Sequence, residues 1–293
     1  MVDDEPDALF ARRVTRVLVT GGGGQLGSEF ALLLGAESAA LGRAELDVAD
    51  EASVARAFAL HAPELVLHCA AWTDVDAAES DPDGAWRANE YGSRHVARAA
   101  RACGATLVGF STDYVFAGDD PDGYDERSPV APRSVYGASK LAGERALLAE
   151  HPEAYVVRTA WLFSPRGRNF LLTMLRLGAE REELRVVDDQ VGCPTATPHL
   201  ARATMQLVER CAPGTYHLAG AGSTSWHGFA SAIMEEAGLS ARVEPIPSSE
   251  LQRPAPRPAC SILRTVHPDA PRLPHWRDGL RDCLAALANA EGT

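Results

Sequence analysis

The sequence predicts an α/β fold in which a doubly wound parallel sheet is followed by a smaller C-terminal lobe. Short apolar runs typical of buried strands alternate with stretches whose apolar residues recur every three or four positions, as in helices that cover a sheet. The first run ends in the glycine cluster 21–24, and beyond about Phe163 the alternation becomes less regular. We therefore expect a Rossmann-type domain at 14–163, to which a segment near 185–220 returns, and mainly a substrate-binding lobe at 164–293.

The predicted elements follow in order along the chain. The first strand is Val14–Thr20, and the first helix presents Leu26, Phe30 and Leu34 on one face before it ends near Gly35. The same reasoning places strands at Ser38–Leu41, Leu65–Cys69, Thr106–Ser111 and Tyr155–Thr159, and helices after Asp50 and over about 83–102, Ser134–Glu150, Asn169–Gly178, His199–Cys211, Trp226–Ala237 and Trp276–Ala290.

Composition and charge argue against several classes of protein. Of the 293 residues, 46% are hydrophobic and 23% are charged, and no run approaches the roughly 18 apolar residues of a membrane span. The 28 basic and 40 acidic residues give a net charge of −12, which repels nucleic acid. The N-terminal segment is acidic, unlike a secretory signal, and the six cysteines are dispersed without metal-ligand spacing. We therefore expect a cytoplasmic protein with reduced thiols, and neither a membrane nor a nucleic-acid partner.

A glycine motif follows the first predicted strand. Gly21, Gly24 and Gly27 form G-x-x-G-x-x-G at the start of the first helix. A pyrophosphate can approach a helix N-terminus when side chains are absent from the turn, because backbone N–H groups and the helix dipole then face the charge. The position between a strand and an amphipathic helix favours a dinucleotide site over an ordinary glycine-rich turn.

Arg43 bears on the choice of dinucleotide. It follows Gly42 near the end of the second strand, where sites that prefer NAD place a carboxylate for the ribose 2′-hydroxyl. An arginine there favours a 2′-phosphate and hence NADPH, but a solvated surface arginine is an equally good interpretation, so NADH is also allowed. Asp47 and Val48, at the next strand-to-helix junction, are candidates for contact with the adenine.

Tyr136 and Lys140 form the pattern Y-x-x-x-K, the main catalytic signal. Lys140 is the only lysine among the 28 basic residues, and on a helix it lies one turn from Tyr136 on the same face. A nearby ammonium lowers the pKa of a phenol and can also bind ribose hydroxyls. We predict that Tyr136 donates a proton and that Thr112, at a strand end, holds the substrate oxygen. The alternatives are a solvated i, i+4 pair and a turn hydroxyl.

Seven segments along the chain carry a family resemblance. They are V-T-G-G-G-G-Q-L-G at 19–27, A-A-W-T-D-V-D-A-A-E at 70–79, S-T-D-Y-V-F at 111–116, V-Y-G-A-S-K-L-A-G-E at 135–144, R-T-A-W-L-F at 158–163, V-D-D-Q-V-G-C-P-T at 187–195 and R-P-A-P-R-P at 253–258. Together they resemble the extended short-chain dehydrogenases/reductases, and more narrowly the dTDP-4-dehydrorhamnose reductases and related nucleotide-sugar 4-ketoreductases. The similarity extends over nearly the whole chain.

The resemblance implies a site with three groups of residues. The catalytic set would be Thr112, Tyr136 and Lys140, with Tyr136 as proton donor. The cofactor would lie against Gly24, Gln25, Leu26, Asp47, Val48, Ala70, Ala71 and Trp72. The sugar nucleotide would lie against Thr112, Asp113, Trp161, Asn169, Arg253 and Arg257, the last three near the diphosphate. A core position for Trp161 and surface positions for the two arginines are the alternatives.

The implied reaction is reduction of the C4 keto group of a dTDP-4-keto-6-deoxy-hexose by NADPH, which gives dTDP-L-rhamnose or a related deoxysugar. A nucleotide-sugar epimerase or dehydratase shares the fold and the Y-x-x-x-K pattern, but Tyr114 stands where a dehydratase has a glutamate. A non-catalytic NADP-binding regulatory subunit is a further alternative. A homodimer is compatible with the resemblance. Some members hold a metal between subunits with acidic side chains. Glu29 could be one of these acids, but Pro198 stands where another is expected, so no metal is predicted.

Overall fold

A parallel sheet of six strands forms the centre of the computed structural model, which describes residues 16–291. The strands are β1 (Val17–Thr20), β2 (Ser38–Leu41), β3 (Leu65–His68), β4 (Thr106–Thr112), β5 (Tyr155–Thr159), β6 (Leu162–Phe163), β7 (Glu183–Val187), β8 (Val191–Gly192), β9 (Thr195–Ala196), β10 (Gly214–His217), β11 (Thr224–Ser225) and β12 (Arg242–Ile246). The helices are α1 (Gln25–Leu34), α2 (Glu51–His61), α3 (Val75–Ser80), α4 (Pro82–Trp86), α5 (Gly92–Cys103), α6 (Val135–Glu150), α7 (Phe170–Glu180), α8 (Thr197–Arg210), α9 (Trp226–Ala237) and α10 (Trp276–Glu291).

The central sheet has the order β10-β5-β4-β3-β1-β2, and all its pairings are parallel. Strands β1 and β3 are fully buried, and successive side chains point to opposite faces. Val19 and Leu67 pack with Phe30 of α1 in the core on one face, whereas Leu18 and Val66 belong to the core on the other. The predicted α/β class with a Rossmann-type doubly wound sheet is confirmed.

The helix starts follow local capping signals. Asp50 accepts the backbone N–H of Ala52 at 2.9 Å at the start of α2, as predicted. Helix α1 differs, because its N-cap is Gly24, which has no side chain to accept a hydrogen bond. The first N–H groups of α1 are therefore left without a side-chain cap at the end of β1, the arrangement that an anion-binding helix N-terminus requires.

The helix predicted at about 83–102 is divided. Helices α4 and α5 are separated by a π-helical turn over Arg87–Tyr91. The side chain of Asn89 in this turn accepts the backbone N–H of Trp72 at 2.8 Å and donates to Oγ of Ser139 at 2.9 Å. These long-range bonds tie the turn to neighbouring segments, and the local apolar period did not predict the turn.

The remaining element boundaries agree closely with expectation. Strands β2 and β5 and helix α9 have the predicted bounds. Strand β1 begins at Val17, while Val14 and Thr15 of its predicted range lie outside the described residues. Helix α8 begins at Thr197 rather than His199, because Pro198 is favourable in the first turn of a helix. The short helix α3, capped by the side chain of Asp74, was not predicted.

The C-terminal half of the chain builds its own apolar core. Phe163, Leu171, Phe229 and Leu280 are fully buried in it, and the pairs β7–β12, β8–β11 and β6–β9 form small separate sheets. Strand β10 lies outside this core and pairs with β5 at the edge of the central sheet. The division of the chain at residue 163 into a domain and a lobe stays a prediction.

Other features concern thiols, membranes and metals. All six cysteines are free thiols. Over residues 16–291 no helix is long and apolar enough to cross a bilayer, and no group of three or more His, Cys, Asp or Glu side chains is arranged to hold a metal ion. Glu29 pairs instead with Arg166 at 3.3 Å.

Candidate active site

A cavity of about 920 Å³ lies at the carboxyl ends of β1, β3, β4 and β5. Ligands bind at this edge of open parallel sheets because several strand ends and helix N-termini converge there. The structure brings most of the predicted site residues together in its lining: Gly21, Gly24, Gln25, Leu26, Gly27, Arg43, Asp47, Val48, Ala70, Ala71, Trp72, Thr112, Asp113, Tyr136, Lys140 and Trp161. Their individual roles stay predictions.

The glycines of the motif differ in what a side chain would contact at each position. Gly21 has a φ of +68°, and a Cβ there would lie 2.7 Å from the backbone nitrogen of Ala70. A Cβ on Gly27 would collide with the carbonyl oxygen of Gly21, so this glycine allows α1 to pack on the turn. A Cβ on Gly23 would meet nothing within 4 Å. The turn is therefore tightly packed underneath and open towards the cavity, a shape that admits a pyrophosphate.

Helix α6 carries the predicted catalytic pair. Ser134 caps it by accepting the N–H of Gly137 at 3.1 Å, and the chain then places Tyr136 and Lys140 in the cavity wall. Nζ of Lys140 donates to the carbonyl oxygen of Phe110 at 2.6 Å, at the end of β4. Burial lowers the pKa of Lys140 to about 8, and the Glu144 carboxylate one turn further along opposes that shift.

The pKa of Tyr136 does not behave as predicted. Burial raises it to about 12, and the Asp113 carboxyl group acts in the same direction, while the hydrogen bond between Tyr136 and Thr112 acts in the opposite one. We expected the ammonium of Lys140 to lower this pKa, and that expectation is wrong for this structure. The ammonium bonds to the backbone of β4 and is not among the groups that shift the pKa of Tyr136, which is raised mainly by the loss of hydration of the phenolate.

Thr112 and Asp113 form a hydrogen-bonded pair at the end of β4. Oγ1 of Thr112 donates to Oδ1 of Asp113 at 2.9 Å and accepts the backbone N–H of Tyr114 at 3.2 Å. Asp113 is only 3% exposed, and burial raises its pKa to about 6. The hydroxyl that we predicted to hold the substrate oxygen is therefore already bonded to a neighbouring carboxyl group.

Trp161 is stacked on another indole. Its ring lies 3.6 Å from that of Trp226, centroid to centroid, with 4° between the planes. Trp161 has a φ of +47°, and a Cβ on Gly192 would lie 2.5 Å from its ring. Trp161 lies at the cavity wall, and its predicted contact with the sugar stays a prediction. One of its faces is covered by Trp226, a residue that sequence reasoning missed.

Three predicted substrate residues do not line the cavity. Oδ1 of Asn169 accepts the backbone N–H of Leu172 at 3.1 Å and so caps α7. Arg257 donates two hydrogen bonds to Asp76, at 2.6 and 2.7 Å, and Arg253 lies 3.5 Å from the same carboxylate. The hydrogen bonds from Arg257 lower the pKa of Asp76 to about 2. The predicted contacts with a diphosphate stay predictions.

Several lining residues were not predicted: Cys69, Arg87, Phe110, Ser111, Tyr114, Arg168 and Trp226. Cys69, Phe110 and Ser111 lie at strand ends beside predicted residues, so the rule that strand ends form the site would have found them. Arg87, Arg168 and Trp226 come from a π-helical turn, a loop and the start of α9. No local sequence signal connects these three to the glycine motif.

A buried hydrogen-bond network supports the cofactor side of the cavity. Nδ1 of His68, the last residue of β3, lies 2.8 Å from Oγ1 of Thr20, and its Nε2 lies 3.3 Å from Oγ of Ser93. Oγ of Ser93 donates to the carbonyl oxygen of Asn89 at 2.6 Å. Burial lowers the pKa of His68 to about 3, so the ring is neutral at physiological pH. The network joins β1, β3 and α5 directly behind the glycine turn.

A doubly wound sheet, a glycine turn at a helix N-terminus and a Y-x-x-x-K pair in one cavity define the class of short-chain dehydrogenases/reductases. The family model described as the RmlD substrate binding domain matches residues 15–289, and the chain belongs to this family. The chain is 45% identical over 290 residues to the dTDP-4-dehydrorhamnose reductase of Streptomyces griseus, which covers 94% of this chain and 95% of that protein.

Two further relatives agree with this assignment. The dTDP-4-dehydrorhamnose reductase of Mycobacterium tuberculosis (strain H37Rv) is 42% identical over 293 residues, covering 96% of each protein. The crystal structure of dTDP-4-dehydrorhamnose reductase from Bacillus anthracis in complex with NADP has a TM-score of 0.89 and 39% sequence identity, covering 93% of this chain and 99% of that chain. The family resemblance inferred from the motifs is confirmed.

Proposed function

We propose that this protein is an NADPH-dependent oxidoreductase that reduces the C4 keto group of a dTDP-4-keto-6-deoxy-hexose, giving dTDP-L-rhamnose or a related deoxysugar. The observation that carries the proposal is the placement of Tyr136 and Lys140 in the same cavity as the glycine turn. The activity is the one for which the Streptomyces and Mycobacterium relatives are named.

The glycine turn and its surroundings fit NADPH, which supplies a hydride to the carbonyl carbon when it is bound. The open side of the turn at Gly23 and the uncapped N-terminus of α1 would hold the pyrophosphate. Lys140, fixed by its bond to Phe110, would hold ribose hydroxyls. Arg43 lies 3.8 Å from Asp47 and its side chain is 84% exposed, so it remains free to reach a 2′-phosphate.

Tyr136 has the properties of the proton donor. Its raised pKa keeps the phenol protonated at neutral pH, so a proton is available when negative charge develops on the substrate oxygen. The alkoxide formed is a stronger base than a phenolate, and the proton therefore moves from Tyr136 to the C4 oxygen. The predicted stabilisation of the remaining phenolate by Lys140 is not supported, because the ammonium is not among the groups that shift the pKa of Tyr136.

Substrate contacts and assembly complete the proposal. Thr112, Asp113 and Trp161 line the cavity where the sugar would lie, and Asn169, Arg253 and Arg257 stay the predicted contacts of the diphosphate. We expect the segment 14–163 to bind the cofactor and 164–293 to contribute mainly substrate contacts. A cytoplasmic location and a homodimer stay predictions, and light scattering would measure whether the mass exceeds the 31.2 kDa of one chain.

The reaction is tested by mixing the purified protein with NADPH and a panel of dTDP-4-keto-6-deoxy sugars, with NADPH consumption followed by fluorescence and products identified by NMR. We expect stoichiometric consumption of NADPH and a reduced sugar. Conversion of a nucleotide sugar without net consumption would indicate an epimerase or dehydratase instead. Tight NADPH binding without turnover of any sugar would indicate a regulatory subunit.

The role of Tyr136 is tested by Tyr136→Phe. Loss of the proton donor should lower kcat by about 10²- to 10⁴-fold, while the dissociation constant of NADPH changes little. Tyr91→Phe is the matched control, because Tyr91 is exposed at the end of the π-helical turn and lies outside the cavity lining. Normal turnover by Tyr136→Phe would remove Tyr136 from the mechanism.

A further inference from the structure

The hydrogen-bond inventory of Thr112 is nearly complete before any substrate binds. A threonine hydroxyl has one hydrogen to donate and two lone pairs to accept with. The hydrogen goes to Oδ1 of Asp113 at 2.9 Å, and one lone pair accepts the N–H of Tyr114 at 3.2 Å. What remains is a single acceptor position, which is the one available for the hydrogen bond with the phenol of Tyr136. A ketone oxygen can only accept a hydrogen bond. In this arrangement Thr112 cannot donate one to it, because its single hydrogen is already donated to Asp113.

The surroundings of Asp113 make its charged form costly. The carboxyl group is buried at the end of β4, and no ion pair to it is formed among residues 16–291. The groups that face it are the phenols of Tyr114 and of Tyr136 on α6, the thiol of Cys193 after β8, and the hydroxyl of Ser261. None of them is a cation, and a buried carboxylate without a cation loses hydration without gaining an opposite charge.

Protonation of Asp113 would reverse the hydrogen bond. A neutral carboxyl group has an O–H to donate, and Oγ1 of Thr112 lies directly beside it with a lone pair that only the phenol of Tyr136 otherwise uses. Thr112 would then accept from both Asp113 and Tyr114, and its own hydrogen would be released. Since Thr112 lies in the cavity wall with Tyr136, that hydrogen can point towards the same substrate oxygen that Tyr136 protonates.

We propose that Asp113 is a positioning residue whose neutral form turns the Thr112 hydroxyl into a hydrogen-bond donor to the C4 carbonyl oxygen, and whose ionised form prevents this. The proposal rests on the proposed ketoreductase function. The raised pKa of Asp113, about 6, agrees with it, because both forms are then accessible near neutrality. No proton is transferred from Asp113 to the sugar; the proton only fixes the direction of the bond between Asp113 and Thr112.

The test is the pH dependence of kcat at saturating NADPH and keto-sugar, for the wild type and for Asp113→Asn. The wild-type kcat should fall with rising pH, by up to about tenfold per pH unit above the transition, because only the neutral form is competent. The amide of asparagine donates to Thr112 at every pH, so the transition should be absent in Asp113→Asn and kcat at alkaline pH should exceed that of the wild type. Asp122→Asn, in an exposed loop, is the control and should keep the wild-type profile.

Thr112→Val tests the same bond if Asp113→Asn is unstable. Thr112→Val removes the hydroxyl, so its kcat should be low and should lack the transition, and adding Asp113→Asn should change nothing further. The infrared band of a protonated carboxyl group should titrate with the midpoint of kcat in the wild type and be missing in Asp113→Asn.

Three results would overturn the proposal. They are a wild-type kcat that is constant from about pH 5 to 8, a wild-type transition that persists in Asp113→Asn, and a folded, NADPH-binding Asp113→Asn that is inactive at every pH. If the wild type itself reduces no keto-sugar, the proposed function has failed. The infrared titration then still decides whether Asp113 takes up a proton in this range.

Discussion

Lys140 combines a charged group with partial burial in the cavity wall, and its protonation state therefore depends on pH within an accessible range. Its pKa is lowered to about 8, mainly because burial disfavours the ammonium. The protonated form is the one that can attract the cofactor and donate three hydrogen bonds, one of which Phe110 accepts. Raising the pH through about 8 converts it to a neutral amine.

We predict that NADPH affinity decreases as the pH rises through that value. Fluorescence titration at several pH values should give a dissociation constant that is lowest below the transition and increases above it. Lys140→Arg keeps its charge throughout and should show no such transition, although its weaker fit should raise the dissociation constant at all pH values. A dissociation constant of the wild type that is constant between about pH 7 and 9 would contradict this assignment.

Arg43 is the residue predicted to select NADPH over NADH. If it binds the 2′-phosphate, Arg43→Ala should raise the dissociation constant of NADPH about tenfold, the effect of losing a charge-assisted hydrogen bond, and leave that of NADH unchanged. Arg56→Ala is the control, since Arg56 lies on α2 and pairs with Asp50 outside the cavity. An equal increase in the dissociation constants of NADPH and NADH would mean that Arg43 does not recognise the 2′-phosphate.

At the scale of elements, the hydrogen-bond network at the end of β3 contains a neutral His68, and the stability of the fold therefore depends on pH. Its pKa is about 3 in the folded protein, against about 6.5 in the unfolded chain. Between these values the unfolded chain binds the proton and the folded protein does not. The free energy of unfolding therefore decreases as the pH falls from about 6.5 towards 3, by up to about 1.4 kcal/mol per pH unit from this residue.

His68→Gln should remove that contribution while keeping a polar side chain between Thr20 and Ser93. Urea denaturation at pH 7 and pH 5 should show a smaller loss of stability on acidification for this variant than for the wild type. His61→Gln, at the end of α2, is the control and should lose as much stability between pH 7 and pH 5 as the wild type. An unchanged pH dependence in His68→Gln would show that the network tolerates a charged ring.

At the scale of the whole molecule, Asp76 of α3 and Arg257 of the C-terminal half hold distant parts of the chain together. Their side chains are 28% and 15% exposed and are joined by two hydrogen bonds. Arg257→Ala should lower the free energy of unfolding by about 1 kcal/mol, because it breaks a partly buried ion pair. Asp76→Asn should have a similar effect on stability, measured by the same denaturation experiment.

The same two variants test whether Arg257 also binds the substrate diphosphate. Only Arg257→Ala removes the guanidinium, so only this variant should raise the KM of the keto-sugar, by about tenfold. Asp76→Asn keeps the arginine and controls for loosening of the contact. If both variants raise KM equally, the ion pair shapes the site and Arg257 does not itself bind phosphate.

The sequence was most informative where neighbouring residues determine the structure. Apolar runs such as Val17–Val19 form strands in any Rossmann-type sheet, and parallel pairing then brings the strand ends, and with them Gly21, Ala70 and Thr112, into one cavity. The π-helical turn, the Asp76–Arg257 ion pair and the stacking of Trp226 on Trp161 depend on contacts between distant segments. No periodicity or spacing in a single sequence records such contacts, so these features could not be predicted.

The position of Lys140 in the wall of an open cavity has a practical consequence for labelling. Apart from the α-amino group, this chain has one primary amine, and a bound dinucleotide would shield it. Acylation by a small amine-directed reagent, counted by intact-mass spectrometry, should therefore add one internal adduct to the free protein and none to the protein saturated with nucleotide. A single mass difference would report occupancy of the cavity without any assay of turnover.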